Sequence, residues 1–409
     1  MDISSLILRG ATVFDGCSPL PLADVDILLK DGLIHTVSSP GQRLLSEGST
    51  EIELNGQFVM PGLIDAHFHC NSFTLDIPVL EQTHESYATL KASELLSDTL
   101  LRGFTTVRDA AGANHGLVRG VEEGVISSPR ILASGKAISQ TGGHGDFRPA
   151  DQIQLCGCAS HGSMTVIADG EDQVRLAVRE QLRAGASQIK LFVSGGVLSP
   201  TDPIWMPQFT DAEILAAVQE AQTRRTYVMA HAHTADASAR CARLGVRSIE
   251  HGTLIDAESA AFIADKGSFV VPTLVIIEQL YKQINQLPPD MANKLDQVRD
   301  RAFDAVEHCV KAGVSLGFGT DLFGDFHGCE NEEFLLRAKV QSNFEVLRSA
   351  TSVNAELINQ PLLGKIQTGC IADLLVIDGN PLEDIRVMST PEESFTTIIK
   401  AGQPVKTNF

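Results

Sequence analysis

The chain has 409 residues, of which 43% are hydrophobic, so it can bury a sizeable core, and its formal net charge of −19 argues against nucleic acid or an anionic membrane surface as a partner. No stretch approaches the roughly 18 consecutive apolar residues of a membrane span, and the first residues lack the basic start and apolar core of a signal peptide. Eight scattered cysteines are too few for a disulfide scaffold, so we expect a reduced protein of the cytoplasm.

Short β-rich segments at both ends of the chain predict one small β domain that is built from both termini. Near the N-terminus, apolar runs at 6–8, 11–14 and 25–29 are separated by Gly, Asp and Pro, as in the hairpins of a small sheet. The same pattern returns near the C-terminus. We therefore expect a composite β domain that comprises residues 1–60 and 360–409.

Between these ends, residues 61–359 alternate strand candidates with helical patterns, such as those over 171–184 and 211–224. One strand candidate leads to His67, and seven more follow it along the chain. They lie at 104–109, 130–135, 188–192, 227–231, 248–251, 269–273 and 315–321. Eight strands alternating with helices predict a (β/α)8 barrel of the TIM type, so the expected fold class is α/β with a small β-sandwich domain.

Two histidines two residues apart, His67 and His69, follow an apolar run that reads as a buried strand with a break at Pro61-Gly62. In an extended segment their side chains point to the same side. Together they can hold one metal ion, since imidazole nitrogen suits zinc and similar ions. A His-X-His pair alone is common, so support has to come from the rest of the chain.

Polar residues recur at the C-terminal ends of the predicted strands, which is the face where barrel enzymes build their active sites. Each has an ordinary structural interpretation when taken singly: a strand-end histidine is often a satisfied structural residue, an aspartate can cap a helix, and a lysine can reach the rim. Their common position on one rim indicates a metal-dependent site. The residues are His67, His69, Lys190, His231, His251 and Asp321.

The order of these residues resembles the amidohydrolase superfamily over essentially the whole chain: His-X-His after strand one, Lys after four, His after five and six, and Asp after eight. The flanks at 61–65 and 369–374 match as well. Within the superfamily, the segments at 103–109, 139–144 and 194–203 resemble the branch of ochratoxin-hydrolysing amidases and Xaa-Pro or carboxypeptidase-type dipeptidases.

The resemblance implies two divalent metal ions, expected to be Zn²⁺, with a carboxylated Lys190 as the ligand that bridges them. A lysine amine is normally cationic and would repel two cations, whereas a carbamate supplies an anionic bridge. One ion would be held by His67, His69 and Asp321, and the other by His231 and His251. Cys156 and Cys158 form no comparable site, because no second cysteine pair completes one, and we expect a loop there.

The resemblance also implies roles in catalysis. A hydroxide between the metals would attack the amide carbon, Asp321 would pass its proton to the leaving amine, and His144 would polarise the scissile carbonyl. His233 stands where the Xaa-Pro enzymes would have Tyr, while the ochratoxin-type amidases resemble the His form. His233 either binds the substrate carboxylate or forms a hydrogen bond to one of the metal ligands.

The implied function is hydrolysis of the amide bond of a small molecule, an N-acyl amino acid or dipeptide of ochratoxin-like or Xaa-Pro type, with release of the C-terminal amino acid. The alternatives are a cyclic-amide hydrolase of the imidazolonepropionase type or a deaminase, and Lys190 argues against the deaminases, which usually lack a bridging lysine. A dihydropyrimidinase-like scaffold without activity would be expected to lose ligands, and none is missing. Relatives of this branch often form large homo-oligomers, so we expect a homo-oligomer such as an octamer.

Overall fold

The computed structural model describes residues 5–148, 164–199 and 202–407. The chain divides into two compact units, one made of Met1–Asp65, Ser97–Thr106 and Phe334–Phe409, the other of Ala66–Leu96 and Val107–Glu333. The cysteine pair Cys156 and Cys158 lies outside the described residues. The domain boundaries predicted after residues 60 and 359 stay a prediction.

The strands and helices alternate through most of the chain. The strands are β1 Ser5–Val13, β2 Leu22–Lys30, β3 Leu33–Val37, β4 Thr50–Glu53, β5 Phe58–Pro61, β6 Leu63–Phe68, β7 Phe104–Asp109, β8 Arg130–Ala133, β9 Ala137–Ser139, β10 Thr165–Ile167, β11 Ile189–Phe192, β12 Val228–Thr234, β13 Ser248–Leu254, β14 Phe269–Val271, β15 Leu374–Ile377, β16 Phe395–Lys400 and β17 Gln403–Thr407. The α-helices are α1 Ile77–Gln82, α2 Glu85–Leu101, α3 His115–Glu122, α4 Glu171–Arg183, α5 Asp211–Thr223, α6 Ala235–Arg243, α7 Ala257–Lys266, α8 Leu274–Lys282, α9 Pro289–Ala312, α10 Glu332–Arg337, α11 Asn343–Arg348, α12 Asn354–Leu357 and α13 Pro391–Ser394.

Strands from both ends of the chain share one sheet in the first unit, with the order β17-β16-β15-β5-β1-β2-β3 and β4 paired to β1. The segments predicted at 6–8 and 11–14 form the single strand β1, because Gly10 adopts a φ of 63° and absorbs an irregularity in the register between Leu8 and Ala11. This is the predicted small β-sandwich domain, and its core contains alternating apolar residues of β1 and β2.

The second unit contains most of the predicted (β/α)8 barrel of the TIM type. Parallel pairing runs through β10-β9-β11-β12-β13-β14, and β6-β7-β8 form a second stretch of sheet. The amide of Ser187 donates to the carbonyl of Ala133 at 2.8 Å, which links the end of β8 to the segment directly before β11. The amide of Ala66 donates to the carbonyl of Phe318 at 2.8 Å, which joins the eighth strand position to the first.

The eighth strand, predicted at 315–321, is shorter than expected. Leu316 pairs with Val270 as an isolated parallel bridge, and the backbone then turns, with Asp321 at a φ of 56°. The two glycines in this segment weaken a regular ladder, since glycine has no side chain to pack on a neighbouring strand. Asp321 still lies at the end of the eighth strand position, as the sequence pattern predicts.

The two helices predicted from their periodicity are confirmed as α4 and α5, with ends within one residue of the expectation. A capping box starts α5: the amide of Glu213 donates to Thr210 Oγ1 at 3.3 Å, and the amide of Thr210 donates to Glu213 Oε2 at 2.6 Å. Among the described helices, none combines the length and the apolar character that crossing a membrane requires.

Candidate metal centre

The candidate ligands lie within neighbouring parallel strands or directly after them: Lys190 is the second residue of β11, and His231 and His251 are each the fourth residue of β12 and β13, which continue three residues beyond the predicted ends. In the strand register, Phe192 of β11 stands beside His231 of β12, and Ala232 stands beside His251 of β13. Because these strands are parallel, residues at equivalent positions along neighbouring strands lie at the same level of the barrel. The local sequence thus places the histidines by strand length and register.

The tightest group consists of His67, His69 and Asp321, whose ligand-type atoms all lie within 4.8 Å of one another. Asp321 Oδ1 is 3.3 Å from His67 Nε2 and 3.0 Å from His69 Nε2. The imidazoles are buried, while the carboxylate side chain is 17% exposed. Two imidazole nitrogens and a carboxylate oxygen are ligands that zinc accepts, so this group can hold a metal ion.

The other two predicted histidine ligands lie beside this group. The His251 ring centroid is 4.9 Å from that of His67 and 4.7 Å from that of His231, and His251 Nδ1 is 3.9 Å from Asp321 Oδ2. His233 packs on both neighbours, with centroids 4.6 Å from His231 and 5.2 Å from His251. Four strand ends therefore contribute to one continuous cluster of imidazoles and one carboxylate.

Lys190 is almost fully buried in the short strand β11, with its Nζ 5.4 Å from the centre of the Phe192 ring. Within the described residues its amine forms no hydrogen bond. Burial lowers the pKa of this amine to about 8, although the carboxylates of Glu250 and Asp321 oppose the shift. A buried lysine whose pKa is lowered holds a larger share of neutral amine, which is the nucleophilic form.

Backbone strain and a close approach mark the same site. His251 has a φ of 70° and Asp321 a φ of 56°, in the left-handed region that residues other than glycine seldom adopt. A Cβ at Gly319 would come closer than 3.0 Å to the side chains of Val271 and His67. Such strain costs on the order of 1–3 kcal/mol per residue and concentrates at functional sites.

The charge states of the cluster suit metal binding. Burial lowers the pKa of His231 and of His251 well below the usual value and that of His233 to about 3, so these imidazoles are neutral at pH 7. Burial by itself would raise the pKa of Asp321, but the neighbouring His67 and His69 outweigh it and hold that pKa well below its usual range. Neutral imidazoles with an ionised carboxylate are the donor set that a divalent ion requires.

His144, predicted from the loop after strand three, joins the cluster. Its ring stacks on His231 with centroids 4.3 Å apart, and its Nδ1 is 2.7 Å from Ser199 Oγ and 3.4 Å from Asp202 Oδ2. The structure thus brings together seven of the eight predicted site residues through ring or ligand-atom contacts. The eighth, Lys190, is linked to the cluster by its electrostatic interaction with Asp321.

Comparison with known proteins decides the family. Residues 58–405 match the model of the amidohydrolase family. The chain belongs to the amidohydrolase family. It is therefore a member of a family of hydrolases, as its sequence motifs predict.

The relatives of this amidohydrolase fall in the predicted branch. An ochratoxinase from Aspergillus niger is 31% identical over 94% of this chain and 84% of that protein. A solved prolidase complexed with N-methylphosphonate-L-proline is 42% identical, with a TM-score of 0.95 over 99% of this chain and 100% of that one. A solved Xaa-Pro dipeptidase with bound methionine is 29% identical, with a TM-score of 0.89 over 98% of this chain and 100% of that one.

Four histidines of the cluster each have a hydrogen-bond partner that the sequence motifs do not point to. Such partners fix the ring orientation and tautomer of a metal-binding histidine. His67 Nδ1 donates to Glu250 Oε2 at 2.7 Å, and His69 Nδ1 donates to the carbonyl of Ala111 at 3.2 Å. His233 Nδ1 lies 2.8 Å from Thr253 Oγ1, and His251 Nδ1 lies 2.7 Å from Thr273 Oγ1.

Glu250 is fully buried and forms an ion pair with the equally buried Arg108, whose Nη2 is 2.9 Å from Glu250 Oε1. Burial would raise the pKa of Glu250, but Arg108 and His67 lower it to about 2. The carboxylate therefore stays ionised and accepts the Nδ1 proton of His67, which leaves His67 Nε2 directed toward Asp321. The signal available in the sequence was a charged residue inside an apolar strand, directly before His251.

Replacing Glu250 by Gln should destabilise this amidohydrolase by about 3–5 kcal/mol, because it leaves the Arg108 charge buried without a counter-charge. Urea unfolding at pH 7 would measure the loss. Since the pKa of folded Glu250 is lower than the usual 4.5, the pair stabilises fully above that pH and loses its contribution as pH falls toward 2. Glu220→Gln is the control, because the Glu220 partners Arg175 and Arg179 are 28% and 64% exposed. Equal losses in the two variants would contradict the assignment.

Proposed function

We propose that this protein is a binuclear metal-dependent amidase or carboxypeptidase-type dipeptidase, which cleaves the amide bond of N-acyl amino acids or dipeptides and releases the C-terminal amino acid. The observation that carries the proposal is the group of His67, His69 and Asp321 with two further buried histidines beside it. The relatives support the proposal: the name of the Xaa-Pro dipeptidase describes cleavage of a dipeptide, the solved prolidase is complexed with a derivative of proline, and the ochratoxinase is named for ochratoxin.

The donor set fits two divalent ions, which we propose to be Zn²⁺. When bound, such a pair lowers the pKa of a water molecule to about 7 and polarises the substrate carbonyl. Lys190, as a carbamate, would bridge the ions, which accounts for a buried lysine amine without a hydrogen bond among the described residues. The remaining ligands would be His67, His69 and Asp321 on one side and His231 and His251 on the other.

Asp321 is placed to move the proton. Its Oδ1 faces His67 and His69, and its Oδ2 lies farther from the nearest imidazole, at 3.9 Å from His251 Nδ1. Its partial exposure leaves this carboxylate accessible to water and substrate. In our proposal Asp321 accepts the proton of the attacking water and gives it to the leaving amine nitrogen, so the amino acid departs as a neutral amine.

His144 is placed to stabilise the developing oxyanion. Its Nδ1 faces Ser199 and Asp202, so Nε2 is the nitrogen that remains for the substrate. In our proposal the Nε2 proton is donated to the scissile carbonyl oxygen as charge accumulates there. Such a donor acts mainly on the transition state.

His233 is placed to bind the amino-acid half of the substrate. When Nδ1 accepts a hydrogen bond from the Thr253 hydroxyl, Nε2 carries the proton and can donate to a carboxylate. The same position in the sequence departs from the Xaa-Pro pattern. We therefore propose that an N-acyl amino acid with a bulky acyl group, of the ochratoxin type, is preferred over an Xaa-Pro dipeptide.

A substrate screen tests the proposal. The purified enzyme, with Zn²⁺ supplied, is incubated with N-acyl phenylalanine, Xaa-Pro dipeptides and a cyclic amide, and the released amino acid is quantified. Release from the first two classes, and metal analysis near two ions per chain, is the expected result. Ring opening of the cyclic amide alone would favour the imidazolonepropionase-type alternative. Light scattering in the same preparation would test the expected homo-oligomer.

Esterifying the free carboxylate of a substrate should reduce turnover by about ten- to a hundredfold, since a charge-assisted hydrogen bond contributes roughly 1.5–3 kcal/mol. Paired rates on an N-acyl phenylalanine and its methyl ester would measure this. His233→Ala should reduce the preference for the acid, because the same contact is then absent. Equal wild-type rates on acid and ester would reject carboxylate binding.

His144 and His233 should differ in their kinetic effects. His144→Ala should lower kcat by about 10²–10³-fold with little change in KM, as in deletions of other oxyanion donors. His233→Ala should mainly raise KM, and His233→Tyr should move preference toward Xaa-Pro substrates. Steady-state kinetics on both substrate classes decide between them. Unchanged kinetics in both Ala variants would refute these two roles and leave the metal ligands unaffected.

A further inference from the structure

The fully buried carboxylate of Asp202 lies beside the His144 ring. Asp202 Oδ2 accepts the amide of Gly196 and the Nε2 of Gln208, both at 3.1 Å, and it is 3.4 Å from His144 Nδ1. Its other oxygen, Oδ1, has no hydrogen-bond partner among the described residues. A buried carboxylate is costly, so its position beside an imidazole nitrogen needs an explanation.

Ser199, Gln208 and Gly196 confine the His144 ring on several sides. Ser199 Oγ is 2.7 Å from His144 Nδ1, and the side-chain oxygen of Gln208 accepts the His144 amide at 2.9 Å. A Cβ at Gly196 would come closer than 3.0 Å to three atoms of the ring, so the ring packs directly on bare backbone. With His231 stacked on it as well, the imidazole has little freedom to rotate.

Lys294, on the long helix α9, donates hydrogen bonds to the backbone beside His144. Its Nζ donates to the carbonyl of Ser199 at 2.8 Å and to that of Gly196 at 3.0 Å, and it lies 3.9 Å from Asp202 Oδ1. The side chain is 11% exposed, although a surface helix offers a lysine many routes to water. The ammonium group therefore connects the Gly196 and Ser199 carbonyls and lies near the Asp202 carboxylate.

We propose that Asp202 and Lys294 are positioning residues for catalysis, which hold the His144 ring with Nδ1 turned inward and Nε2 directed at the scissile carbonyl. The proposal rests on the proposed function, in which His144 is the oxyanion donor. Neither residue touches the substrate, so each acts through His144. The physical reason is that a donor must be held close to its productive geometry, and a misplacement of about 1 Å can cost on the order of 10²-fold in rate.

Kinetics of the metal-loaded enzyme provide the first test. Asp202→Asn keeps the shape of the side chain and Lys294→Met keeps its length, and each should lower kcat by about ten- to a hundredfold while KM changes less than threefold. Lys311→Met is the matched control on the same helix, where the side chain is 72% exposed and pairs with Glu307. It should keep the wild-type kcat.

A double variant separates positioning from a general structural effect. In a His144→Ala background, Asp202→Asn should cause no further loss of kcat, because the ring that it positions is absent. If Asp202→Asn lowers kcat as much in that background as in the wild type, the carboxylate acts independently of His144, and the proposal is overturned. Metal content, measured on every variant, should stay near the wild-type value, whereas Lys294→Met should lower the melting temperature, because it removes the cation 3.9 Å from the buried Asp202 carboxylate.

Crystal structures of the wild type, Asp202→Asn and Lys294→Met supply a readout that does not depend on turnover. The His144 ring should leave the contact with Ser199 in both variants and keep it in the wild type. An unmoved ring with unchanged kcat would overturn the proposal. If the wild type releases no amino acid from any substrate, the proposed function fails, and the ring position alone decides: displacement supports positioning, and an unmoved ring rejects it.

Discussion

Replacing His67 by Ala, or His231 by Ala in a separate variant, should abolish amide hydrolysis and lower the metal content of the purified protein. The two residues belong to different halves of the proposed ligand set, so either loss should disable the pair. His67 lies 3.3 Å from Asp321 Oδ1, and His231 lies in ring contact with His251 at 4.7 Å. Each site would then keep too few ligands to hold its ion in the geometry that catalysis requires.

The measurement combines the rate of amino-acid release with elemental analysis of the same samples. His35→Ala is the matched control, because His35 is exposed on β3 and, within the described part of the chain, its imidazole hydrogen-bonds only to the neighbouring Thr36. It should keep both full activity and full metal content. Full activity in wild-type enzyme that had been stripped of metal, with none added back, would contradict the proposed mechanism.

Much of the barrel was predictable because each strand carries its own local signal. Short apolar runs locate the buried strands, and β7 spans the predicted residues 104–109, whereas β12 and β13 continue three residues beyond their predicted ends at 231 and 251. The position of Asp321 was predictable for the same reason. The eighth strand differed, since its glycines and the left-handed turn at Asp321 are specified by close approach to His67 and not by an apolar pattern.

The partners behind the ligands were not predictable from local patterns. The contact of His67 with Glu250 joins residues 183 positions apart, and that of Lys294 with Ser199 joins residues 95 apart. A sequence motif states which residue types occur at a strand end, but it does not state which distant side chain will lie behind them. Such pairings depend on register and packing across the whole barrel, which only the folded structure specifies.

Lys190→Ala should remove most of the activity, and short carboxylic acids such as acetate or propionate should restore part of it. If the bridging ligand is a carbamate, truncation removes both anionic oxygens and leaves a gap in a buried site, and a small carboxylate can occupy that gap with similar charge. Lys190→Met is the matched control, since its side chain fills much of the volume and should prevent the acid from entering. The measurement is kcat/KM of both variants against acid concentration, with an expected rise only for Lys190→Ala. Electron density for an unmodified amine between two bound metals would be incompatible with the carbamate, and so would equal activity of Lys190→Met and wild type.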